Sequence, residues 1–327
     1  MGKPRVVYYE IQDFQESSLA FLHERFEVTV LPDPGHDTPE LLARADALFA
    51  PMGHVYNKEK LAACPRVKAL GTPTTGFPHI DAEYARQRSI AICSLKEQRD
   101  VLQAISCTAE LAWGLLVNLA HRIPQAFESV LAGGWDGKSF AADRPRMLST
   151  MSLGVVGLGR LGGYVARYGK AFGMAVRYFD PFLESDEYER CETLEELARQ
   201  SDVVSLHTHF TPETEKSVNA DFFQAMPQGS FLINTARGEI VDEAALVEAL
   251  ESGHLAGAAM DTLSGDFLPD CEKTVFDNPL FQYAERHDNL LLVPRYGGAT
   301  TDAWESTEKR IINLMLEAVG QDRQGSL

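Results

Sequence analysis

The chain has 327 residues, 45% of them hydrophobic, which is enough to bury a large core and favours two domains over one. Its formal net charge of -17 argues against binding to nucleic acid or to an acidic membrane surface, because both depend on surplus lysine and arginine. No window approaches the ~18 apolar residues of a membrane span and the first residues lack a signal-peptide core, so we expect a cytoplasmic protein.

Residues 1–100 alternate between predicted strands and predicted helices. The predicted strands are 5–9, 26–31, 47–50, 68–71 and 90–93, and the predicted helices are 17–25, 39–45 and 82–88. This alternation predicts a small doubly wound domain of parallel strands. It contains no glycine fingerprint.

The same alternation continues through the centre of the chain, after a long apolar helix at 108–121. The predicted strands are 153–156, 175–179, 203–207, 230–234, 256–260 and 290–293, and the predicted helices are 221–225, 242–252 and 301–318, before a frayed tail at 320–327. The last helix can return to the first domain. The predicted fold class is therefore α/β with two doubly wound parallel-sheet domains, one at 101–298 and a discontinuous one at 1–100 and 299–327.

A glycine fingerprint follows the first strand of the central domain in the order strand, loop, helix, strand. Gly157 permits the tight turn, Gly159 lets the backbone approach a pyrophosphate, and Gly162 lets the helix pack against the strand. Asp180 ends the second strand, where a carboxylate accepts hydrogen bonds from both ribose hydroxyls and repels a 2'-phosphate. The segment predicts a Rossmann-like domain that binds NAD(H) rather than NADP(H). A glycine-rich turn in another kind of α/β protein is the alternative.

Two charged residues follow later strands of the central domain. Arg237 lies beyond the strand at 230–234, and arginine is the side chain that grips a carboxylate with two hydrogen bonds. A surface arginine paired with Glu239 or Asp242 is the alternative. Asp261 ends the next strand at the same sheet edge, where an ordinary helix cap is the alternative.

Several motifs occur along the chain in a fixed order. They are residues 74–81 (TTGFPHID), the glycine loop 157–162, residues 205–207 with 211–214, residues 234–243 (NTARGEIVDE), Asp261 and residues 297–300 (GGAT). Together they cover most of the chain and resemble the D-isomer-specific 2-hydroxyacid dehydrogenase family. In that family an uninterrupted NAD domain lies inside a discontinuous substrate domain.

The resemblance implies an oxidoreductase that moves a hydride between NAD(H) and a small 2-hydroxy or 2-oxo acid. It implies a homodimer paired through the NAD domains. Arg237 would hold the carboxylate of this small anionic substrate, helped by backbone amides near Thr75 and Gly76. The positions implied for NAD contact, beside the three fingerprint glycines, are Arg160, Leu161, Asp180, His207, Thr211, Thr235, Ala236, Asp261, Gly297 and Gly298.

Two positions depart from the family pattern. The family's catalytic histidine follows a proline just before the GGAT segment, but here Pro294 is followed by Arg295. Its acidic partner is commonly a glutamate, and here that position is Asp266. Histidine suits proton transfer near neutrality, whereas an arginine donates hydrogen bonds and does not readily release a proton. Losing a positioned general acid costs about 10²- to 10⁴-fold in rate.

Three hypotheses remain for the role of Arg295. In the first, hydride transfer continues with Arg295 held by Asp266 as an electrostatic catalyst, while another group, such as His54, or water supplies the proton. A solvated loop residue is the alternative for His54. In the second, Arg295 binds a second anionic group on the substrate, such as a phosphate, phosphonate or carboxylate. In the third, the protein binds NAD(H) and a metabolite without turnover, as a sensor or interaction module.

No metal site is predicted. His207 and His209 form an H-x-H pair, but His207 belongs to the dehydrogenase motif and no suitable third ligand is evident. The five cysteines are scattered and never spaced as C-x-x-C, so neither a structural zinc site nor a disulfide framework is indicated.

Overall fold

The protein, represented by a computed structural model, is described over residues 2–140, 144–266 and 271–324 and divides into two compact units. One unit is discontinuous and combines Met1–Ile105 with Ala299–Leu327. The other is Ser106–Gly298, so it begins at Ser106 rather than at the predicted residue 101. The difference arises because residues 101–105 stay with the discontinuous unit, where Leu102 packs against the hydrophobic core.

Strands and helices alternate along most of the described residues. The strands, in chain order, are β1 (Arg5–Tyr9), β2 (Glu27–Leu31), β3 (Ala47–Phe49), β4 (Ala69–Gly71), β5 (Ala91–Cys93), β6 (Ser152–Val156), β7 (Ala175–Phe179), β8 (Glu189–Arg190), β9 (Val203–Leu206), β10 (Ser230–Asn234), β11 (Leu255–Met260) and β12 (Leu290–Leu292). The helices are α1 (Glu16–Arg25), α2 (Pro39–Leu42), α3 (Lys58–Ala62), α4 (Ala82–Gln87), α5 (Arg99–Gln103), α6 (Cys107–His121), α7 (Ile123–Leu131), α8 (Arg160–Ala171), α9 (Leu194–Arg199), α10 (Ala220–Ala225), α11 (Glu243–Glu251), α12 (Cys271–Thr274), α13 (Pro279–Ala284) and α14 (Thr301–Gln324). Short 3-10 turns lie at Glu10–Gln12, Pro34–His36, Gly137–Phe140, Leu148–Thr150, Gly238–Ile240 and Val275–Asp277.

The discontinuous unit contains a parallel five-stranded sheet in the order β2-β1-β3-β4-β5. The central strands β3 and β4 are buried throughout, as expected for a parallel sheet covered on both faces. Helix α14 covers one face. A Cβ on Gly71 would lie 2.1 Å from the sulfur of Met315 and 3.0 Å from a methyl carbon of Ile311, so α14 packs closely against β4 at this glycine. The predicted return of the last helix to the first domain is therefore confirmed.

The Ser106–Gly298 unit contains a parallel seven-stranded sheet in the order β12-β11-β10-β9-β6-β7-β8. The chain winds one way from β6 to β8 and the other way from β9 to β12. Ligands of doubly wound sheets bind at the carboxyl ends of the strands where this direction changes, between β6 and β9 here. The two parallel sheets with flanking helices confirm the predicted fold class.

One helical stretch among the described residues, Arg99–His121, is long and apolar enough to cross a membrane by length and composition. The prediction that no window approaches a membrane span was therefore too strong. In the structure this stretch is two helices, α5 and α6, and α6 buries Leu115, Leu116 and Leu119 in the core of the Ser106–Gly298 unit. We interpret α6 as a core helix, which passes the same test of composition.

Several predicted element boundaries were wrong, mainly at short helices. Helix α2 was predicted to reach residue 45 but ends at Leu42, and helices α3, α5, α7, α9, α12 and α13 and strand β8 were not predicted. Some of these helices begin at side-chain caps that a search for apolar periodicity overlooks, such as Thr193 before α9 and Asn278 before α13. Helix α14 continues to Gln324, so 320–324 do not form the predicted frayed tail, and 325–327 lie outside the described residues.

Candidate active site

The glycine loop between β6 and α8 has the tight geometry that its sequence predicts. Gly157 has a φ of 86°, and a Cβ there would lie 2.8 Å from the carbonyl oxygen of His207. A Cβ on Gly162 would lie 1.9 Å from the carbonyl oxygen of Gly157. Both positions therefore exclude any side chain, Gly157 by its conformation and Gly162 by the close packing of α8 on the loop.

Gly159 differs from its two neighbours because the space around it is open. A Cβ on Gly159 would meet nothing within 4 Å, and Gly159 is the N-cap residue directly before helix α8. Arg160 and Leu161 form the first turn, so their backbone N–H groups belong to the positively polarised end of a 12-residue helix. Open space at such an end fits the pyrophosphate of a dinucleotide.

Asp180 lies beside this loop, directly after β7, and is buried. One carboxylate oxygen accepts from the backbone N–H of Leu158 at 2.8 Å, and the other accepts from Phe182 at 2.8 Å and Leu183 at 3.0 Å. A carboxylate offers about four acceptor positions, so these bonds leave capacity for a ribose hydroxyl. The ribose contact of Asp180 was predicted from the sequence. The backbone hydrogen bonds by which Asp180 fixes the loop were not predicted.

Two polar side chains follow the neighbouring strands β9 and β10. The Nε2 atom of His207 is 2.8 Å from the hydroxyl of Ser205, and burial lowers the pKa of His207 to about 4, so the ring is neutral at pH 7. The buried hydroxyl of Thr235 has no hydrogen-bond partner among the described residues, which is unusual for a buried polar group. Thr211 lies in the loop after β9, where its N–H donates to the hydroxyl of Thr214 at 2.8 Å. The NAD contacts implied at these positions remain predictions.

Arg237 is exposed at the end of a turn that β10 itself fixes. The buried side chain of Asn234 accepts from the N–H of Ala236 at 3.0 Å and donates to the carbonyl of Arg237 at 2.9 Å. The two acids considered as surface partners of Arg237 have other contacts. Glu239 accepts from the backbone N–H of Gly265, and Asp242 caps α11.

Asp261 fastens the segment that follows β12. Its carboxylate accepts from the backbone N–H groups of Tyr296 at 3.0 Å and Gly297 at 3.1 Å. The alternative of a helix cap is therefore wrong. A Cβ on Gly297 would lie 2.7 Å from the Asp261 carboxylate, whereas one on Gly298 would meet nothing within 4 Å. Burial raises the pKa of Asp261, and the two backbone bonds oppose that rise.

Arg295 opens this segment with a φ of 54°, in the left-handed region that few residues other than glycine adopt. Its Nη1 atom donates to the backbone carbonyl of Asp266 at 2.8 Å, and its Nε atom lies 3.4 Å from the Asp266 carboxylate. Burial raises the pKa of Asp266, while the positive charges of Arg295 and Arg237 lower it. The structure therefore brings together the three residues predicted to carry the chemistry.

The remaining predicted substrate residues belong to the discontinuous unit. His54 lies in the loop after β3, and Thr75 and Gly76 lie in the loop after β4. Because β3 and β4 are adjacent parallel strands, these loops leave the same sheet edge. His54 is partly buried and its Nδ1 atom has no hydrogen-bond partner among the described residues. A side chain linking the two loops is that of His79, whose Nε2 atom is 3.0 Å from the carbonyl of Ala50.

Sequence reasoning missed residues that support the Arg295 side of the site. Gly238 and Glu243 were not singled out, yet a Cβ on Gly238 would lie 2.1 Å from the carbonyl carbon of Leu263, and Glu243 is only 8% exposed. The available signals were a glycine directly after Arg237 and an acid at the first position of a helix. Across the described residues, no group of three or more His, Cys, Asp or Glu side chains is arranged to hold a metal ion.

Comparison with known proteins connects this geometry to a family. The family model described as D-isomer specific 2-hydroxyacid dehydrogenase, NAD binding domain, matches residues 113–297. The chain belongs to the D-isomer specific 2-hydroxyacid dehydrogenase family. The matched residues lie within the Ser106–Gly298 unit and include the glycine loop, which confirms the predicted family, its oxidoreductase class and NAD as cofactor.

Similar proteins and solved structures match most of the chain. Glyoxylate reductase from Thermococcus kodakarensis is 32% identical over 314 residues, covering 92% of this chain and 89% of the relative. D-3-phosphoglycerate dehydrogenase from Methanocaldococcus jannaschii is 31% identical over 95% of this chain, which spans only 56% of that relative's length. The crystal structure of TT0316 protein from Thermus thermophilus matches with a TM-score of 0.79 and 30% identity, covering 97% of each chain. A D-lactate dehydrogenase from Aquifex aeolicus, complexed with NAD and lactic acid, matches with a TM-score of 0.70 and 25% identity, covering 99% of this chain and 96% of that one.

Proposed function

We propose that this dehydrogenase transfers a hydride between NAD(H) and a small 2-hydroxy or 2-oxo acid of the D series. The observation that carries the proposal is the position of Arg237, a carboxylate-binding side chain at the carboxyl edge of the same sheet as the glycine loop. When bound, the nicotinamide supplies or accepts the hydride. The names of the glyoxylate reductase and D-lactate dehydrogenase relatives support the same substrate class.

The residues of this chain would bind, orient and polarise the acid. Arg237 holds the carboxylate with two parallel hydrogen bonds. Arg295, fixed by Asp266, donates a hydrogen bond to the oxygen on C2 and stabilises the negative charge that develops there. Because an arginine does not readily release a proton, the proton comes from another group or from water.

A second anionic group on the substrate is favoured by one specific observation. Two guanidinium groups, those of Arg237 and Arg295, act on the single carboxylate of Asp266 in a protein of net charge -17. A phosphate, phosphonate or second carboxylate offers additional oxygens that could accept hydrogen bonds from the second guanidinium group. The names of the phosphoglycerate dehydrogenase relatives are consistent with this narrower substrate class. This chain spans about half the length of those relatives.

Steady-state oxidation of NADH with a panel of 2-oxo acids tests the proposed function. The panel contains glyoxylate, pyruvate, 2-oxoglutarate, phosphonopyruvate and phosphohydroxypyruvate. We expect turnover with at least one, and the doubly charged acids to be preferred. In Arg295→His, the protonated imidazole is the active form for reduction, so its activity should fall as the pH rises through the histidine pKa, ordinarily about 6.5. The wild-type protein should lack that loss.

One combination of results would contradict the proposed turnover. If the wild-type protein binds NADH but reduces no acid on the panel, whereas Arg295→His reduces at least one of them, the natural chain is a catalytically silent NAD(H)-binding module. It would then act as a sensor or interaction protein of the same fold.

We also propose that the protein is a homodimer paired through the Ser106–Gly298 unit. Helix α7 leaves apolar side chains in water, including Phe127 at 62% and Leu131 at 71% exposure. Contiguous apolar surface of this kind usually marks an interface, and a second copy is the partner that the family resemblance implies. Sedimentation equilibrium should give about twice 36.2 kDa for the wild-type chain and 36.2 kDa for Phe127→Asp. A wild-type mass of 36.2 kDa would contradict the dimer.

A further inference from the structure

The loop that carries Asp266 is held by carboxylates along its backbone. The N–H of Leu263 donates to Asp266 itself at 3.1 Å, that of Ser264 to Glu243 at 2.7 Å, and that of Gly265 to Glu239 at 3.1 Å. Three consecutive backbone donors are therefore each paired with an acidic side chain. Hydrogen bonds to ionised acceptors are stronger than those between neutral groups, so the loop has a defined position.

Glu243 is the most buried of these supports. One of its carboxylate oxygens accepts from Ser264, and the other accepts from the side-chain amide of Asn278 at 2.8 Å. The carbonyl oxygen of Asn278 caps α13 through the N–H of Leu280 at 2.8 Å, which fixes the orientation of the amide. Burial raises the pKa of Glu243, and the bonds from Ser264 and Asn278 oppose that rise. Burying a carboxylate is energetically unfavourable unless it is hydrogen-bonded. The hydrogen bonds from Ser264 and Asn278 therefore compensate for the burial of Glu243.

The other side of the loop rests directly on the backbone that follows Arg237. A Cβ on Gly238 would lie 2.1 Å from the carbonyl carbon of Leu263 and 2.2 Å from the nitrogen of Ser264. Glu239 and Glu243 come from the same stretch of chain, the 3-10 turn and the first residue of α11. The segment 237–243 therefore presents the substrate-binding arginine and also serves as the platform of the loop.

The far end of the loop fixes the second guanidinium group. Arg295 is bound by the backbone carbonyl of Asp266 and by its carboxylate, as described above. A continuous path of hydrogen bonds and close packing thus joins Arg237 to Arg295 through residues 263–266. Displacement of the loop would change the separation of the two guanidinium groups.

From this path we infer that Glu239 and Glu243 are positioning residues, which hold the Asp266 loop on the Arg237 segment and thereby set the spacing of the two guanidinium groups that receive the acid. The inference rests on the proposed function for the identity of the ligand. The family resemblance implies no such role for either glutamate.

The test compares Glu239→Ala, Glu239→Gln and Glu243→Gln with the matched control Glu248→Ala, an exposed glutamate on the same helix as Glu243. Glu239→Ala removes the acceptor for Gly265, and Glu243→Gln turns an amide donor toward Asn278. We expect each to lower kcat/KM for the preferred 2-oxo acid by about 10- to 100-fold, because misplacement by about 1 Å has effects of this size. Glu239→Gln keeps an acceptor for Gly265 and should restore most of the activity. NADH affinity should stay within about twofold.

Calorimetric binding of oxalate to the NADH-loaded protein separates this inference from the proposed function. Weaker oxalate binding by Glu239→Ala and Glu243→Gln supports the inference even if the wild-type protein reduces no acid, in which case only the proposed turnover fails. If both variants match Glu248→Ala in turnover and oxalate affinity, the inference is overturned and the proposed function stands. If oxalate affinity, NADH affinity and melting temperature all fell together in both variants, the inference would also be overturned. Such a result would indicate a general structural role for the two glutamates.

Discussion

Replacing Arg237 with alanine is expected to lower kcat/KM for the preferred 2-oxo acid by about 10²- to 10³-fold, the usual effect of removing one partner of a hydrogen-bonded charge pair. The carboxylate would lose its two-pronged partner at the sheet edge. NADH affinity should remain close to that of the wild-type protein, because the glycine loop and Asp180 are fixed by their own backbone contacts. Steady-state kinetics and the fluorescence of bound NADH measure the two quantities separately.

Arg237→Lys distinguishes the geometry of the side chain from its charge. Lysine keeps the charge but lacks the planar fork, so an intermediate kcat/KM is expected. Arg286→Ala, which removes an exposed arginine of the same unit, is the matched control and should behave as the wild type. Turnover by Arg237→Ala within threefold of the wild-type value would remove Arg237 from the site.

The second large effect is expected at the glycine loop, where Gly162→Ala should abolish measurable NADH binding or weaken it by more than about tenfold. The new methyl group would lie 1.9 Å from the carbonyl oxygen of Gly157, so the helix and the loop must separate. Overpacking of this kind costs about 1–3 kcal/mol, and the displaced loop no longer presents the N-terminus of α8 to the pyrophosphate. Calorimetry with NADH and thermal unfolding measure the two consequences.

The adjacent residue provides a control within one turn of the same helix. A Cβ on Gly163 has only ordinary contacts at 3.9 Å, and alanine in a helix is about 0.5–1 kcal/mol more favourable than glycine. Gly163→Ala should therefore bind NADH normally and melt at the same or a slightly higher temperature. Identical behaviour of the two variants would show that the packing of α8 on the loop does not determine cofactor binding.

Sequence reasoning predicted the parts of the site that depend on local order. Gly157, Gly162 and Asp180 lie within one strand-loop-helix-strand segment, where periodicity and spacing define the geometry. Arg237 and Asp261 each follow an apolar strand, and parallel strands carry such residues to one edge of the sheet. The resemblance to the family then supplied the implied roles.

The sequence did not reveal the residues that hold the Asp266 loop and Arg295 in place, because their roles depend on contacts between distant segments. Glu243 pairs with Ser264 across 21 residues and with Asn278 across 35 residues, through a loop that has no periodic pattern. The left-handed backbone of Arg295 has no signature either, since arginine rarely adopts it. Only the fold reveals that Gly238 is required by the approach of another chain segment.

The most direct test follows the hydride itself. The wild-type protein is incubated with NADH deuterated at C4 and the preferred 2-oxo acid, and the product is analysed by mass spectrometry and chiral chromatography. We predict one deuterium on C2 of the D-2-hydroxy acid, delivered from one of the two C4-deuterated diastereomers of NADH. A protein that binds NADH but leaves every acid of the panel free of deuterium, or labels only the L isomer, would contradict hydride transfer to a D-2-hydroxy acid at this site.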